Sequence, residues 1–159
     1  MPRLKIVPLV ASIGVCFLAA AIGSAFTTGA ISTWYATLNK PFFSPPNWVF
    51  GPVWTLLYLL MGFSLYLVWV TKTEKKAKRL GITFFFIQLA LNSLWSILFF
   101  GLKSPSVAFV GIILLWLAIF MTIKNFLQIS KVAGWLLSPY IAWVSFALIL
   151  NLSIIILNQ

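Results

Sequence analysis

The stretch LGITFFFIQLALNSLWSILFF, residues 80–100, decides the fold class, because it carries no charged side chain over a length that crosses the hydrocarbon core of a bilayer. Four further apolar blocks accompany it, and 62% of the 159 residues are hydrophobic while only 8% are charged. Soluble domains carry about 25% charged residues, so a water-soluble domain is excluded. The sequence predicts an all-α integral membrane protein, a single domain whose five transmembrane helices form a bundle and span residues 6–26, 48–70, 80–100, 106–127 and 132–157.

One long connection, residues 27–47, joins the first two predicted spans, and Thr27, Thr28 and Gly29 are expected to end the first span.

Lysine and arginine lie mostly on one side of the five spans. That side holds nine of them, Arg3, Lys5, Lys72, Lys75, Lys76, Lys78, Arg79, Lys124 and Lys131, and the other holds two, Lys40 and Lys103. Because cytoplasmic loops are enriched in Lys and Arg, we expect a multi-pass protein of a bacterial-type plasma membrane. Its N-terminus would be cytoplasmic, and its C-terminus and the long loop external. Glu74 and its basic neighbours are then expected to bind anionic membrane lipid as a cytoplasmic anchor, with a docking patch for a protein partner as the alternative.

The first span also imitates a signal peptide, with basic residues ahead of an apolar run and an Ala19-Ala20-Ala21 tract. Cleavage there would leave four spans, but the apolar run continues past the tract toward the ~20 residues of a spanning helix, which favours retention. Small residues also recur four apart in this span. Such a stripe is typical of close helix packing, either within the chain or between two protomers.

The chemical inventory is narrow, because the chain has no His, no Asp, one Glu and one Cys. This inventory excludes Ser-His-Asp and Cys-His nucleophiles, paired-carboxylate glycosidases, and zinc or di-iron centres. No metal site is expected. The net charge of +10 lies in short loops rather than on one folded face, so no nucleic-acid partner is expected. The spans hold no ionisable group except lysines at their ends, which disfavours proton-coupled transport but leaves passive movement of a ligand open.

Three predicted helices each present, on one helical stripe, aromatic or polar side chains that are candidates for a pocket: Trp54 and Tyr58, Asn92 and Trp95, Trp143 and Ala147. A rise of 1.5 Å per residue places Trp54, Asn92 and Trp143 on the order of 10 to 18 Å below the outer boundary. They share the outer half of the bundle, which predicts an outward-facing aromatic pocket. The alternative is ordinary packing, with Asn92, Gln88 and Asn151 forming hydrogen bonds between helices.

The long loop contains WYATLNKPFFSPP, residues 34–46, with three prolines and four aromatics. Proline restricts both itself and the preceding residue, so the path is stiff. Trp34, Tyr35 and Trp48 would suit an aromatic belt at the membrane surface. The alternative to a belt is a lid over the mouth of the bundle. The density of aromatics beside rigid prolines favours this lid.

Four sequence blocks resemble the tryptophan-rich sensory protein and translocator protein family, TspO/MBR, once called peripheral benzodiazepine receptors. They are WYATLNKPFFSPP (34–46), FGPVWTLLYLLMG (50–62), QLALNSLWSILFFG (88–101) and KVAGWLLSPYIAWVSFALILN (131–151), in the family's order and across most of the chain. The resemblance implies a five-helix membrane bundle, commonly a homodimer, acting as a receptor or sensor. It implies a porphyrin ligand, protoporphyrin IX or haem, in a cavity closed by the first loop, with no cofactor required.

By motif position, the resemblance assigns ligand contacts to Tyr35, Trp54, Asn92, Trp143 and Ala147, with Tyr58, Trp95 and Tyr140 as weaker additions. Lys40 is the only loop cation available to the porphyrin propionates. Some members promote light- and oxygen-dependent breakdown of protoporphyrin, for which Trp54 and Trp143 would be the catalytic residues, so an enzymatic role stays open. Without His, metal-free porphyrin is expected to bind at least as well as haem. The sterol-recognition pattern of animal members is missing after Tyr140, and sterol binding is not expected.

Overall fold

A helix satisfies its own backbone hydrogen bonds, which is what a chain inside hydrocarbon requires. The computed structural model describes residues 5–159 and is helical almost throughout; Arg3, one of the cations counted above, lies outside this range. The helices are α1 (Ile6–Ile31), α2 (Trp34–Thr37), α3 (Asn47–Val70), α4 (Lys75–Ser96) continued by a π-helical turn (Ile97–Gly101), α5 (Pro105–Ile129), α6 (Lys131–Leu136) and α7 (Ser138–Leu157).

Five helical units are long and apolar enough to cross a membrane: α1, α3, α4 with its π turn, α5, and α6 with α7. Strands are absent from residues 5–159. The prediction of an all-α bundle of five membrane-spanning helices is confirmed, and the protein is a multi-pass integral membrane protein. The orientation across the membrane stays a prediction.

The first helix continues to Ile31, beyond the predicted end of the span at residue 26. The hydroxyls of Thr27 and Thr28 donate to the carbonyl oxygens of Gly23 (2.9 Å) and Ser24 (2.8 Å) one turn earlier. The threonine hydroxyls therefore form their hydrogen bonds inside the helix, and the threonines do not end it. The lid is accordingly shorter than residues 27–47: it comprises residues 32–46 and includes the short helix α2.

The fifth span is divided at Leu137, between α6 and α7. Ser130 caps α6, its Oγ accepting a hydrogen bond from the amide of Ala133 at 3.3 Å. Pro139 lies in the first turn of α7, where a missing N–H removes no helical hydrogen bond. Proline thus begins a helix here rather than kinking one.

The helices pack tightly at the end of the bundle that is distant from α2. A Cβ atom at Gly62 of α3 would lie 2.8 Å from Cα of Ile13 in α1, so these two backbones meet only because the residue is glycine. Ser64 of α3 donates to the carbonyl oxygen of Ala133 in α6 at 2.7 Å. Both contacts hold α3 at this end, whereas beside α2 a space separates α1, α3, α4 and α7.

Candidate functional site

A cavity of about 680 Å³ occupies that space, beneath α2. Seven of the nine predicted ligand contacts line it: Tyr35, Trp54, Tyr58, Asn92, Trp95, Trp143 and Ala147. They come from the lid and from three spans that are distant in sequence, as the stripes of aromatic and polar residues predicted. Lys40 and Tyr140 do not line it, and a contact between any of these residues and a ligand stays a prediction.

The indole rings of the cavity are held by other aromatic rings. The Trp54 ring centroid lies 5.7 Å from that of Tyr58, and the Trp143 centroid lies 6.0 Å from that of Phe50. Trp143 is half-buried, yet its Nε1 atom is shielded from solvent and has no hydrogen-bond partner within residues 5–159. A buried indole N–H without a partner is costly to stability.

A chain of buried hydrogen bonds forms the floor of the cavity. The Tyr58 hydroxyl donates to Oδ1 of Asn92 at 2.5 Å, Nδ2 of Asn92 donates to the Tyr140 hydroxyl at 2.9 Å, and that hydroxyl donates to Oε1 of Gln88 at 2.8 Å. Asn92 therefore joins three helices while still bordering the cavity. Tyr140 is a correction to the predicted wall: it is fully buried behind Trp54, with 6.2 Å between ring centroids, and supports that ring from behind.

The other indoles at mid-depth are bonded between helices. Nε1 of Trp95 donates to Oδ1 of Asn151 at 3.3 Å, and Nδ2 of Asn151 donates to the carbonyl oxygen of Pro105 at 2.9 Å. Nε1 of Trp116 donates to the Ser145 hydroxyl at 2.8 Å, outside the cavity. Asn151 therefore bonds between helices, as one interpretation predicted, and it also borders the cavity.

The lid is anchored by the burial of Tyr35, whose side chain is only 3% exposed. Its ring centroid lies 6.2 Å from that of Phe99 and 5.8 Å from that of Phe100. Burial raises the pKa of the Tyr35 phenol above its ordinary value. This position supports the lid interpretation for Tyr35, whereas Trp48 stands 75% exposed at the mouth of the cavity.

Lys40 braces the lid from within and lies away from the cavity wall, which corrects its predicted place. Its ammonium donates to the carbonyl oxygens of Tyr35 (2.9 Å) and Leu38 (3.2 Å) and lies 4.9 Å from the centroid of the Tyr35 ring. The carbonyl oxygens of Tyr35, which also accepts from the amide of Leu38, and of Leu38 bind this ammonium, which the sequence could not show.

The lid is also tied to the end of α7, by an amide clasp between Asn39 and the Leu157-Asn158 step. The backbone amide of Asn39 donates to Oδ1 of Asn158 at 2.9 Å, and Nδ2 of Asn158 donates back to the carbonyl oxygen of Asn39 at 2.9 Å. Nδ2 of Asn39 donates to the carbonyl oxygen of Leu157 at 3.3 Å. Residues 118 or 119 positions apart in sequence are thereby joined.

Sequence reasoning missed two parts of the wall. The small residues of α1, among them Ala20 and Gly23, line the cavity, because their short side chains leave room between helices. Phe99 and Phe100 line it from the π-helical turn. A π turn adds a residue to the turn and changes which side chains share a face, so a helical stripe drawn from sequence does not find them.

The wall is dominated by aromatic and aliphatic side chains with a few hydroxyls and amides. Among residues 5–159, no three His, Cys, Asp or Glu side chains lie together as a metal site requires. Cys16 is buried and does not border the cavity. The arrangement can hold a large, flat, apolar molecule by contact with its faces, and it offers hydrogen bonds at few positions.

Comparison with known proteins agrees with this architecture. The TspO/MBR family matches residues 12–157. Tryptophan-rich protein TspO of Archaeoglobus fulgidus is 48% identical over 155 residues, which cover 98% of this chain and 99% of that protein. Translocator protein of Homo sapiens is 43% identical over 133 residues (82% and 78%), and tryptophan-rich sensory protein of Cereibacter sphaeroides is 40% identical over 142 residues (87% and 87%). The chain belongs to the TspO/MBR family.

Proposed function

We propose that this protein is a membrane receptor or sensor that binds a porphyrin such as protoporphyrin IX in the cavity beneath α2. The observation that supports the proposal is the cavity itself: Tyr35 covers it, and Trp54 and Trp143 face it from different helices. Its volume, about 680 Å³, lies within the range of about 300 to 1,000 Å³ typical of small-molecule sites. A planar macrocycle with a large π surface suits such a wall. The relative named a sensory protein is in keeping with this role.

The polar groups of the cavity suggest how a porphyrin would be oriented. Ser24, Thr28 and Asn47 border the cavity near its mouth. No lysine or arginine is among the lining residues that the structure describes. Carboxylates are costly to bury without a partner, so the propionates would point to the mouth and to water. Lys40 would reach them only after leaving its carbonyl partners.

Quenching of tryptophan fluorescence by protoporphyrin IX tests the proposal. Trp54→Phe and Trp143→Phe each remove part of an indole contact of about 0.5 to 1.5 kcal/mol, so we expect each to weaken binding about two- to tenfold. Trp135→Phe is the matched control, because Trp135 is 69% exposed on α6 and outside the cavity, and its affinity should match the parent's. Unchanged affinity in both cavity variants would contradict the proposed site.

A second candidate function, oxidative breakdown of protoporphyrin in light and oxygen, is favoured by one observation. Trp54 and Trp143, two oxidisable indoles, border the same cavity and would both contact a bound macrocycle. The protein would contribute mainly by holding porphyrin, oxygen and indole together. Illuminating the purified protein with protoporphyrin under air and under argon, and following the Soret band, tests it. Loss no faster than that of free porphyrin in the same detergent would leave binding alone.

A further inference from the structure

A second depression, about 420 Å³ in volume, lies at the end of the bundle opposite to the lid. It forms where the chain enters α1 and where it turns from α3 into α4. Three lysines border it, Lys5, Lys72 and Lys78, together with the indole of Trp69. We infer that this depression, hereafter the basic pocket, binds the phosphate headgroup of an anionic membrane lipid.

The shape of the basic pocket is held by contacts that need no ligand. The ammonium of Lys78 donates to the carbonyl oxygens of Trp69 (2.9 Å) and Thr71 (2.6 Å), which satisfies acceptors left free at the end of α3. The backbone amide of Lys5 donates to the Tyr66 hydroxyl at 3.2 Å and brings the start of α1 to the same place. Lys78 is therefore a positioning residue, whereas Lys5 and Lys72 are exposed and present their charges to a ligand.

The charge of the basic pocket selects an anion. Glu74 is the only acidic residue of the sequence, and it is not among the residues that border the pocket. Lys5 and Lys72, on a concave surface that no carboxylate borders, attract a phosphate through charge-assisted hydrogen bonds, and the charge of Lys78 adds to the attraction. Their mutual repulsion falls when an anion binds between them.

The position of the basic pocket favours a lipid over a free anion. Trp69 is 48% exposed and lies next to the last residue of α3, a membrane-spanning helix, and tryptophan concentrates at the level of lipid headgroups. Basic residues immediately beyond a spanning helix attract anionic lipids. A diacyl lipid would place its phosphate between Lys5 and Lys72 and its acyl chains along the outer surface of the bundle.

Native mass spectrometry of the purified full chain, titrated with phosphatidylglycerol or phosphatidylcholine, tests this inference. We expect preferential retention of phosphatidylglycerol, and Lys5→Gln/Lys72→Gln should weaken that retention by about tenfold. The matched control is Lys124→Gln/Lys131→Gln, which removes equal charge from exposed residues at the same end but outside the pocket. The control should stay within about twofold of the parent, because distant surface charges are screened.

The inference would be overturned by unchanged retention in the Lys5→Gln/Lys72→Gln variant, by equal losses in the two double variants, or by no preference between the two lipids. Displacement of phosphatidylglycerol by millimolar inorganic phosphate would show a site for a free anion and would overturn the lipid assignment. The far-ultraviolet circular dichroism and the thermal unfolding temperature in detergent should be the same in both variants and the parent, which shows that each variant is folded whether or not porphyrin binds. Porphyrin binding and lipid binding can thus fail independently.

Discussion

Asn158→Ala removes the side chain through which the end of α7 holds the lid. The substitution eliminates both hydrogen bonds between Asn158 and the backbone of Asn39, each 2.9 Å long. It leaves the aromatic contacts of Tyr35 and the Lys40 brace in place. The lid should therefore stay folded but open more often.

The size of the effect follows from those two bonds. A hydrogen bond contributes about 0.5 to 1.5 kcal/mol net, and exposed ones such as these lie toward the lower limit. Their loss should destabilise the closed lid by about 1 to 2 kcal/mol, which corresponds to about a 5- to 30-fold larger open fraction. If a porphyrin leaves through the lid, its dissociation rate constant rises by the same factor.

Stopped-flow release of protoporphyrin into an excess of a soluble porphyrin-binding protein, followed by recovery of tryptophan fluorescence, measures this rate constant. Ser153→Ala is the control, because the Ser153 hydroxyl donates within its own helix to the carbonyl oxygen of Ile149 rather than to the lid. Asn39→Ala provides a sharper comparison. Asn39 contributes only backbone atoms to the two hydrogen bonds with Asn158, so the Asn39→Ala variant keeps both and loses only the 3.3 Å bond to Leu157. This variant should release porphyrin less than about threefold faster than the parent.

Equal release rates for Asn158→Ala and the parent would refute the reasoning, since the clasp would then not limit opening. An Asn39→Ala effect as large as that of Asn158→Ala would also refute it, because the two substitutions remove different numbers of clasp bonds. A similar acceleration in Ser153→Ala would trace the effect to the end of α7 rather than to the clasp.

Three further predictions concern packing and ligand choice. Gly62→Ala should lower the free energy of unfolding in detergent by about 1 to 3 kcal/mol, since the new methyl meets the backbone of Ile13, whereas Gly14→Ala faces open space and should be neutral or slightly stabilising. Tyr140→Phe removes the hydroxyl that accepts from Asn92 and donates to Gln88, so both buried amides lose a partner. This substitution should lower the thermal unfolding temperature. Its effect on protoporphyrin affinity should be smaller than that of Trp143→Phe. Because the chain has no His, absorbance titrations should show metal-free protoporphyrin binding at least as tightly as haem; far tighter haem with a ligand-type spectral shift would contradict this.

Part of the cavity could be predicted from spacing alone. Trp54 and Tyr58 share one helical stripe, and Trp143 and Ala147 share another, and both pairs border the cavity as expected. The family resemblance placed Tyr140 on the wall as a weaker addition, yet it lies behind Trp54 as part of the hydrogen-bonded floor. Neighbouring positions on a helix point in different directions, and which direction meets a cavity depends on how the helices are rotated against one another.

The sequence by itself determined the membrane class, the number of spans and the scarcity of reactive groups, because crossing hydrocarbon imposes a rule that each segment obeys on its own. Only the tertiary structure decided where the polar atoms found partners. Lys40 turned to carbonyl oxygens of its own lid, Asn92 to two tyrosines on other helices, and Asn39 to the far end of the chain. The pairings of Asn92 and Asn39 depend on distances between segments remote in sequence, and in an interior without water a buried amide such as Asn92 takes whichever partner packing brings within reach.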